Sequence, residues 1–104
     1  MTQVPPDLPI TDNEAAGQYE LPVGEYLAIL QYIRRPGRVV LVRTYVPSAI
    51  EGHGVAAQLA RHALNDARAR GEQVEPRCPY VRAYIDQHSE YKGLVARSLE
   101  RHFV

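Results

Sequence analysis

The segment Glu51-Gly52-His53-Gly54-Val55-Ala56 has the residue types and spacing of an anion-binding turn. Glycine adopts left-handed torsions without steric cost, so two alternating glycines can expose successive backbone N–H groups. A helical pattern follows, and the first turn of a helix supplies N–H groups without internal partners and the positive end of the dipole. The segment therefore predicts a cradle for a phosphate or pyrophosphate, held by backbone because the Glu51 carboxylate would repel the anion. Two glycines alone also fit a turn that only caps a helix.

Cys78 is the second candidate for chemistry, within the segment Pro76-Arg77-Cys78-Pro79-Tyr80. A short strand pattern ends here and a helix pattern begins. The dipole of that helix and the adjacent Arg77 favour the thiolate, which is the nucleophilic form of cysteine. The competing interpretation is that a lone free cysteine packs as a small buried apolar residue.

Three further side chains are weaker candidates. His88 could act as a general base because its ordinary pKa lies near neutral, or it could cap the C-terminal end of its helix. Tyr80 and Tyr84 lie one helical turn apart on a shared face, where core packing is the better interpretation of either. We expect no metal site, since no metal-ligand spacing joins the four histidines, His53, His62, His88 and His102.

The elements that position these residues begin with strands. Short runs rich in β-forming residues predict strands at 19–21, 25–34 and 39–46, with a turn at 35–38. Such runs in succession predict an antiparallel meander. The strand at 39–46 leads directly to the glycine turn.

Over residues 54–70 the apolar residues no longer alternate as in a strand but recur with the period of a helix. One predicted face is apolar and the other polar, and Gly71 is a natural stop. A strand at 73–77 should run parallel to 39–46 because a helix connects them, and helices at 79–88 and 93–103 complete the chain. The predicted fold is α+β, a meander followed by β-α-β-α. The predicted apolar face consists of Ala56, Leu59, Ala60, Ala63, Leu64 and Ala67, and the polar face includes Gln58, Arg61, His62, Asn65 and Arg68.

Length and composition limit the possibilities. A chain of 104 residues builds one small core. Residues 1–16, rich in proline and acids, predict a flexible tail, and 17–104 a single domain. One cysteine excludes an internal disulfide, which suits a reducing compartment, and no secretory signal or membrane-spanning run is visible. We therefore expect a cytoplasmic protein without membrane partners.

Charge is balanced overall, with twelve basic and twelve acidic residues, but it is unevenly distributed. Residues 1–33 hold five acids and no base, and residues 34–104 hold twelve bases and seven acids, a net of plus five. This bias could attract an anionic cofactor. It is too dilute to indicate a nucleic-acid partner.

Four motifs in order resemble the short, stand-alone members of the GNAT acetyltransferase superfamily, the YjdJ-type N-acetyltransferase domain. They span about residues 40–95, more than half of the chain. The motifs are Thr44-Tyr45-Val46-Pro47, Glu51-Gly52-His53-Gly54-Val55-Ala56, Pro76-Arg77-Cys78-Pro79-Tyr80 and His88-Ser89-Glu90-Tyr91.

The resemblance implies a ligand, acetyl-CoA, and a site between two splayed central strands. Tyr45 and Val46 would border the pantetheine arm, and Cys78 would lie near the acetyl carbon and take part in acyl transfer. Tyr80 or Tyr84 would be placed to protonate the departing CoA thiolate. The pyrophosphate would rest on the backbone N–H groups of Gly52, His53, Gly54, Val55 and Ala56.

The chain departs from the wider superfamily in two respects. Glu51 stands where arginine or glutamine is usual, which removes a side-chain contribution to phosphate binding. The N-terminal helices that bind the acceptor in larger members are missing, so the acceptor site is shallow, shared with a partner or absent. The leading expectation is an acetyl-CoA-dependent N-acetyltransferase, a monomer or weak homodimer, that acts on an unidentified amine of a small molecule or protein. The alternative is a non-catalytic CoA-binding or protein-interaction module with the same fold.

Overall fold

A computed structural model of the chain describes residues 9–96, which form one five-stranded sheet with two helices. The strand order is β1-β2-β3-β4-β5, in which the first three pairs are antiparallel and β4 and β5 are parallel. Short 3-10 turns occur at Ser48–Ile50 and Ser89–Leu94. The elements are β1 Thr11–Asn13, β2 Gln18–Val23, β3 Tyr26–Arg35, β4 Arg38–Tyr45, α1 Val55–Arg70, β5 Gln73–Pro76 and α2 Pro79–Gln87.

The predicted meander and β-α-β-α order are confirmed, with strand boundaries shifted by one or two residues. Pro36 and Gly37 form the turn between β3 and β4, where Gly37 has a φ of 71° that an L side chain rarely adopts. α1 connects β4 to β5, and such a crossover brings the two strands into parallel alignment as expected.

One irregularity in the sheet affects the later site. Gln31 pairs with Arg43 and Tyr32 pairs with Leu41, so Val42 is an extra residue in β4. A bulge of this kind changes the alternation of side chains along a strand. As a result Leu41 and Thr44, three positions apart, both lie on the face of the sheet that carries the helices.

The core lies between that face and the two helices. α1 buries Leu59 and Leu64 completely, and each such side chain contributes about 1.5–3 kcal/mol relative to exposure. The predicted apolar face of α1 is largely confirmed, although Ala56 is only half-buried. Gln58, predicted on the polar face, is instead buried.

Gly71 ends α1 as predicted. Its φ of 71° is left-handed, and its N–H donates to the carbonyls of Ala67 and Arg68. The N–H of Glu72 also donates to Ala67, which completes a Schellman-type cap.

The chain termini differ from the sequence-based expectation. β1 lies inside the segment predicted as a flexible tail, and 1–8 lie outside the described residues. Low apolar content does not leave this strand loose, because Asp12 accepts a hydrogen bond from the Tyr32 hydroxyl at 2.5 Å and pairs with Arg34 and Arg70.

The predicted helix at 93–103 is wrong over its first residues. Residues up to Leu94 form a 3-10 turn, and Val95 then bridges to Val74 in parallel. The Ala96 N–H donates to the Val74 carbonyl, so this segment satisfies the outer edge of β5, which a helix would leave unpaired. Residues 97–103 of the predicted helix lie outside the described residues.

A polar network on the helix side of the sheet joins residues that no local sequence pattern connects. The buried Tyr19 hydroxyl donates to Asp66 at 2.6 Å and accepts from Arg34, which also binds Glu72. Burial and the Asp66 hydrogen bond raise the pKa of Tyr19 above its usual range. For the Asp66 carboxyl, burial favours a higher pKa, but hydrogen bonds from Tyr19 and the Arg70 charge outweigh it and lower the pKa. The network ties α1 to β2 and β3.

Candidate active site

The two central strands diverge at the level of Leu41. β4 and β5 pair from Arg38 with Gln73 to Leu41 with Pro76. The N–H groups of Arg77 and Cys78 both donate to the Leu41 carbonyl, at 3.0 and 2.9 Å, and α2 begins directly afterwards. β4 continues through residues 42–45 without a β5 partner. The result is a gap between the end of β4 and the start of α2.

Cys78 lies at this gap as the N-cap residue of α2. Its Sγ is 3.3 Å from the Thr44 hydroxyl, and either atom can donate the hydrogen bond. The bulge in β4 makes this contact possible because it turns Thr44 towards the helix side. The thiol is 3% exposed and belongs to the core. Its place between strand end and helix start is as predicted, and its part in acyl transfer remains a prediction.

The glycine turn has the geometry of a backbone cradle. Gly52 and Gly54 have φ values of 82° and 73°, and no atom lies within 4 Å of where either would carry a Cβ. Gly54 is the N-cap of α1, and the first helical hydrogen bond runs from the Gln58 N–H to its carbonyl. The N–H groups of residues 55–57 therefore precede the first helical donor, and the first turn holds no acidic residue.

The side chains around the cradle are exposed. Glu51 and His53 both face solvent, and the Glu51 N–H donates to the Ser48 carbonyl. At the end of β4, Tyr45 is exposed and Val46 packs partly against the core. The open space at both glycines suits a ligand held by backbone. Phosphate binding at 52–56 and a pantetheine contact at Tyr45 and Val46 remain predictions.

The other candidate side chains fall into different environments. Tyr84 is buried and stacks on the His88 ring at 3.9 Å, whereas Tyr80 is 40% exposed, so core packing describes Tyr84 and not Tyr80. Partial burial, then repulsion from Cys78, raises the pKa of the Tyr80 hydroxyl. Tyr80 is therefore held protonated near Cys78.

His88 has the geometry of the helix cap. It is the C-cap residue of α2, and its Nδ1 lies 2.8 Å from the Tyr84 carbonyl oxygen. This contact supports the capping alternative over general-base catalysis. His62, predicted on a polar helix face, instead packs edge-on against Tyr19.

Sequence patterns do not single out two residues near the gap, Thr44 and Glu75. Thr44 opens the Thr44-Tyr45-Val46-Pro47 motif, but its contact with Cys78 depends on the β4 bulge. Glu75, in the four-residue strand β5, is a buried carboxylate. A charged residue inside a short strand before a predicted reactive cysteine was the only signal for it.

A family model for GCN5-related N-acetyl-transferases matches residues 18–94, most of the chain and all of the site. The chain belongs to this family. The solution structure of a GCN5-like protein from Staphylococcus aureus, proposed to be an N-acetyltransferase, has the same fold. It matches with a TM-score of 0.67 and 18% sequence identity, over 88% of this chain and 90% of that one. The GNAT resemblance and the predicted fold class are thereby confirmed.

Two further findings concern residues 9–96 of this GNAT protein. No group of three histidine, cysteine or acidic residues there could hold a metal ion. No helix in that part of the chain is long and apolar enough to cross a membrane.

Proposed function

We propose that the protein transfers an acetyl group from acetyl-CoA to a primary amine. The observation that carries the proposal is the gap beyond Leu41, which has Cys78 and Thr44 on one side of it and the glycine cradle at the start of α1. Family membership supports the same chemistry. The proposal depends on the glycine cradle and the Cys78 thiol occurring together, because a cradle alone would indicate only anion binding and a buried thiol alone would indicate only packing.

The backbone at 52–56 would hold the pyrophosphate of CoA. The N–H groups before Gln58 and the dipole of α1 favour an anion there, and the open space at Gly52 and Gly54 lets phosphates approach the backbone. Tyr45 and Val46 would border the pantetheine arm as it runs along the free edge of β4 towards Cys78. This arrangement would place the thioester in the gap.

Two routes for the acyl group follow from the position of Cys78. In the covalent route, the Cys78 thiolate attacks the thioester carbonyl, a bond forms between its Sγ and the acetyl carbon, and the bond to the CoA sulfur breaks. The departing CoA thiolate takes up the proton that Cys78 lost. The amine then attacks the acetyl-cysteine, the carbon–sulfur bond breaks, and a proton from the amine returns to Cys78.

In the direct route, the amine attacks the thioester itself and the CoA thiolate takes the proton from the amine. Cys78 and Thr44 then only shape the gap. The Tyr80 hydroxyl, partly exposed in the first turn of α2, is a candidate to relay that proton to the CoA sulfur in either route. The contact from Thr44 to Sγ favours the covalent route because a hydroxyl that donates a hydrogen bond stabilises a thiolate.

Intact-mass analysis after mixing with acetyl-CoA tests the proposal. We expect the mass of one acetyl group on the wild-type protein, removed by hydroxylamine as a thioester would be, and absent from Cys78→Ala. Lys92 is the single lysine of the chain, so Lys92→Arg controls for adventitious acetylation of an amine. Cys78→Ser is less informative because its hydroxyl retains some polar contacts.

The other outcomes separate the remaining possibilities. Full transferase activity in Cys78→Ala, with slow alkylation of the wild-type thiol, would assign the direct route and make Cys78 a packing residue. CoA binding without transfer to any amine would indicate a non-catalytic CoA-binding or interaction module, which the low exposure of the thiol favours. Absence of CoA binding would refute the proposed function altogether.

A further inference from the structure

The face of the sheet opposite the helices carries a pocket of about 280 Å³ beside the gap. We call it the arginine pocket. Its apolar lining comes from Ile33 of β3 and from Val40 and Val42 of β4, and Ile33 and Val42 remain well exposed. Arg35, Arg38, Glu75 and Arg77 supply the charged lining.

A buried carboxylate organises two of the arginines. The Glu75 side chain is 10% exposed and accepts a hydrogen bond from Arg77 Nε at 2.5 Å, while its other oxygen lies 3.5 Å from Arg38. Arg35 pairs with Arg38 through the strand backbone, but its guanidinium makes no hydrogen bond or ion pair with residues 9–96. Three guanidinium groups and one carboxylate leave a net charge of plus two. Because each guanidinium has five N–H donors, donors remain on all three for a ligand.

The pocket adjoins the reaction centre through the backbone. Val42 follows Leu41, whose carbonyl marks the last contact between β4 and β5, and Arg77 precedes Cys78. The Cys78 thiol and Thr44 belong to the helix side of the same gap. A molecule in the arginine pocket would therefore lie next to the gap, on the side of the sheet opposite the helices.

We propose, building on the acetyltransferase function above, that the arginine pocket binds the acceptor, and that the acceptor is a small primary amine with an anionic group. Guanidinium groups bind carboxylates and phosphates through paired, charge-assisted hydrogen bonds. The hydrocarbon part of the acceptor contacts Ile33, Val40 and Val42, and its amine points into the gap. The pocket volume is just below the usual range for ligand sites, about 300–1,000 Å³, which suits a molecule of amino-acid size. The net positive charge disfavours polyamines.

Four amines of similar length test this class: 4-aminobutyrate, 2-aminoethyl phosphate, n-butylamine and 1,4-diaminobutane. Binding is measured with CoA present from NMR shifts of the Ile33, Val40 and Val42 methyl groups, and transfer is measured separately with acetyl-CoA. We expect both amines with an anionic group to shift these methyls and to bind about tenfold or more tightly than n-butylamine, which lacks one, because only they engage the guanidiniums. Whichever of these two amines binds more tightly shows whether the pocket prefers a carboxylate or a phosphate.

Arginine variants connect the binding to the pocket. Arg35→Gln and Arg38→Gln should weaken binding of the preferred probe about fivefold or more, since each removes charge-assisted hydrogen bonds. Arg43→Gln is the matched control because Arg43 is an exposed arginine of β4, the strand of Arg38, and lies outside the pocket. CoA affinity should be unchanged in all three variants.

The experiments distinguish failure of the acetyltransferase function from failure of the pocket assignment. If an anionic amine binds in the pocket but no amine is acetylated, the proposed function fails and the pocket assignment stands. If neither anionic amine shifts the methyls, or the Arg35 and Arg38 variants bind like wild type, the pocket assignment is overturned. It is also overturned if sedimentation shows a dimer that Arg35→Gln dissociates, because a second copy would then be the occupant of this face.

Discussion

Substitution of Gly54 tests the cradle most directly. Gly54 has left-handed torsions and open space around its Cβ position, so Gly54→Asp adds a carboxylate beside the predicted phosphate position without a steric clash. One added charge about 4 Å from another interacts by about 1 kcal/mol in water and about 4 kcal/mol near a protein surface. We therefore expect CoA affinity to fall between about fivefold and nearly a thousandfold.

Backbone strain must be separated from this electrostatic effect. A left-handed residue other than glycine costs about 1–2 kcal/mol, so some loss of stability is expected as well. Gly24 offers a matched control, since its φ is 60° and no atom lies within 4 Å of its Cβ position, and it lies in the turn between β2 and β3. Gly24→Asp should lose comparable stability and keep its CoA affinity.

Gly54→Asn separates charge from size. Asparagine tolerates left-handed torsions and resembles aspartate in shape, so this variant should retain most of the affinity that Gly54→Asp loses. Calorimetric titration with CoA and thermal unfolding of all four proteins give both quantities. The reasoning is refuted if folded Gly54→Asp binds CoA as wild type does, or if Gly54→Asn loses as much affinity as Gly54→Asp.

Three further predictions follow from the same geometry. Glu51→Gln should bind CoA equally well or slightly better by titration, since only backbone holds the anion; a loss of tenfold, about 1.4 kcal/mol, would reveal a missed contact. Thr44→Val should slow alkylation of Cys78 because the hydroxyl near Sγ is lost, and an unchanged rate would mean that the contact does not activate the thiol. Asp66→Asn should cost about 1 kcal/mol at neutral pH by removing the charged partner of Tyr19, a value reduced for partial exposure. Because folding lowers the pKa of Asp66, its carboxylate stabilises the fold fully above the unfolded pKa of about 3.9, and this stabilisation is lost as pH falls through the folded pKa. The difference in free energy of unfolding between wild type and Asp66→Asn should therefore be smaller at pH 2 than at pH 7. Denaturation curves that give the same difference at both pH values would contradict this.

The elements of this fold were predictable wherever the sequence has strong local periodicity. α1 combines an apolar face with a left-handed glycine at its end, and both signals are local. Gln58 shows the limit of such reasoning, because its burial depends on which elements pack against that part of the helix. β1 shows another limit: its polar side chains indicated a loose tail, yet their partners Tyr32, Arg34 and Arg70 lie far along the chain.

In the candidate site, too, some features follow from local sequence patterns and others depend on how distant elements pair. The glycine turn and the position of Cys78 between strand and helix are short-range patterns, and the structure has them where the sequence indicates. The contact between Thr44 and Cys78 requires an extra residue in β4, and no local pattern distinguishes a bulge at Val42 from an ordinary strand. With regular alternation after Leu41, residue 44 would lie on the other face, and the thiol would lack this hydroxyl. Val42 would lie on the side of the arginine pocket with regular alternation as well, so the bulge changes the face of Thr44 and leaves the pocket lining as it is. In the proposed reaction, the bulge would therefore determine whether the hydroxyl of residue 44 meets the acyl group beside Cys78.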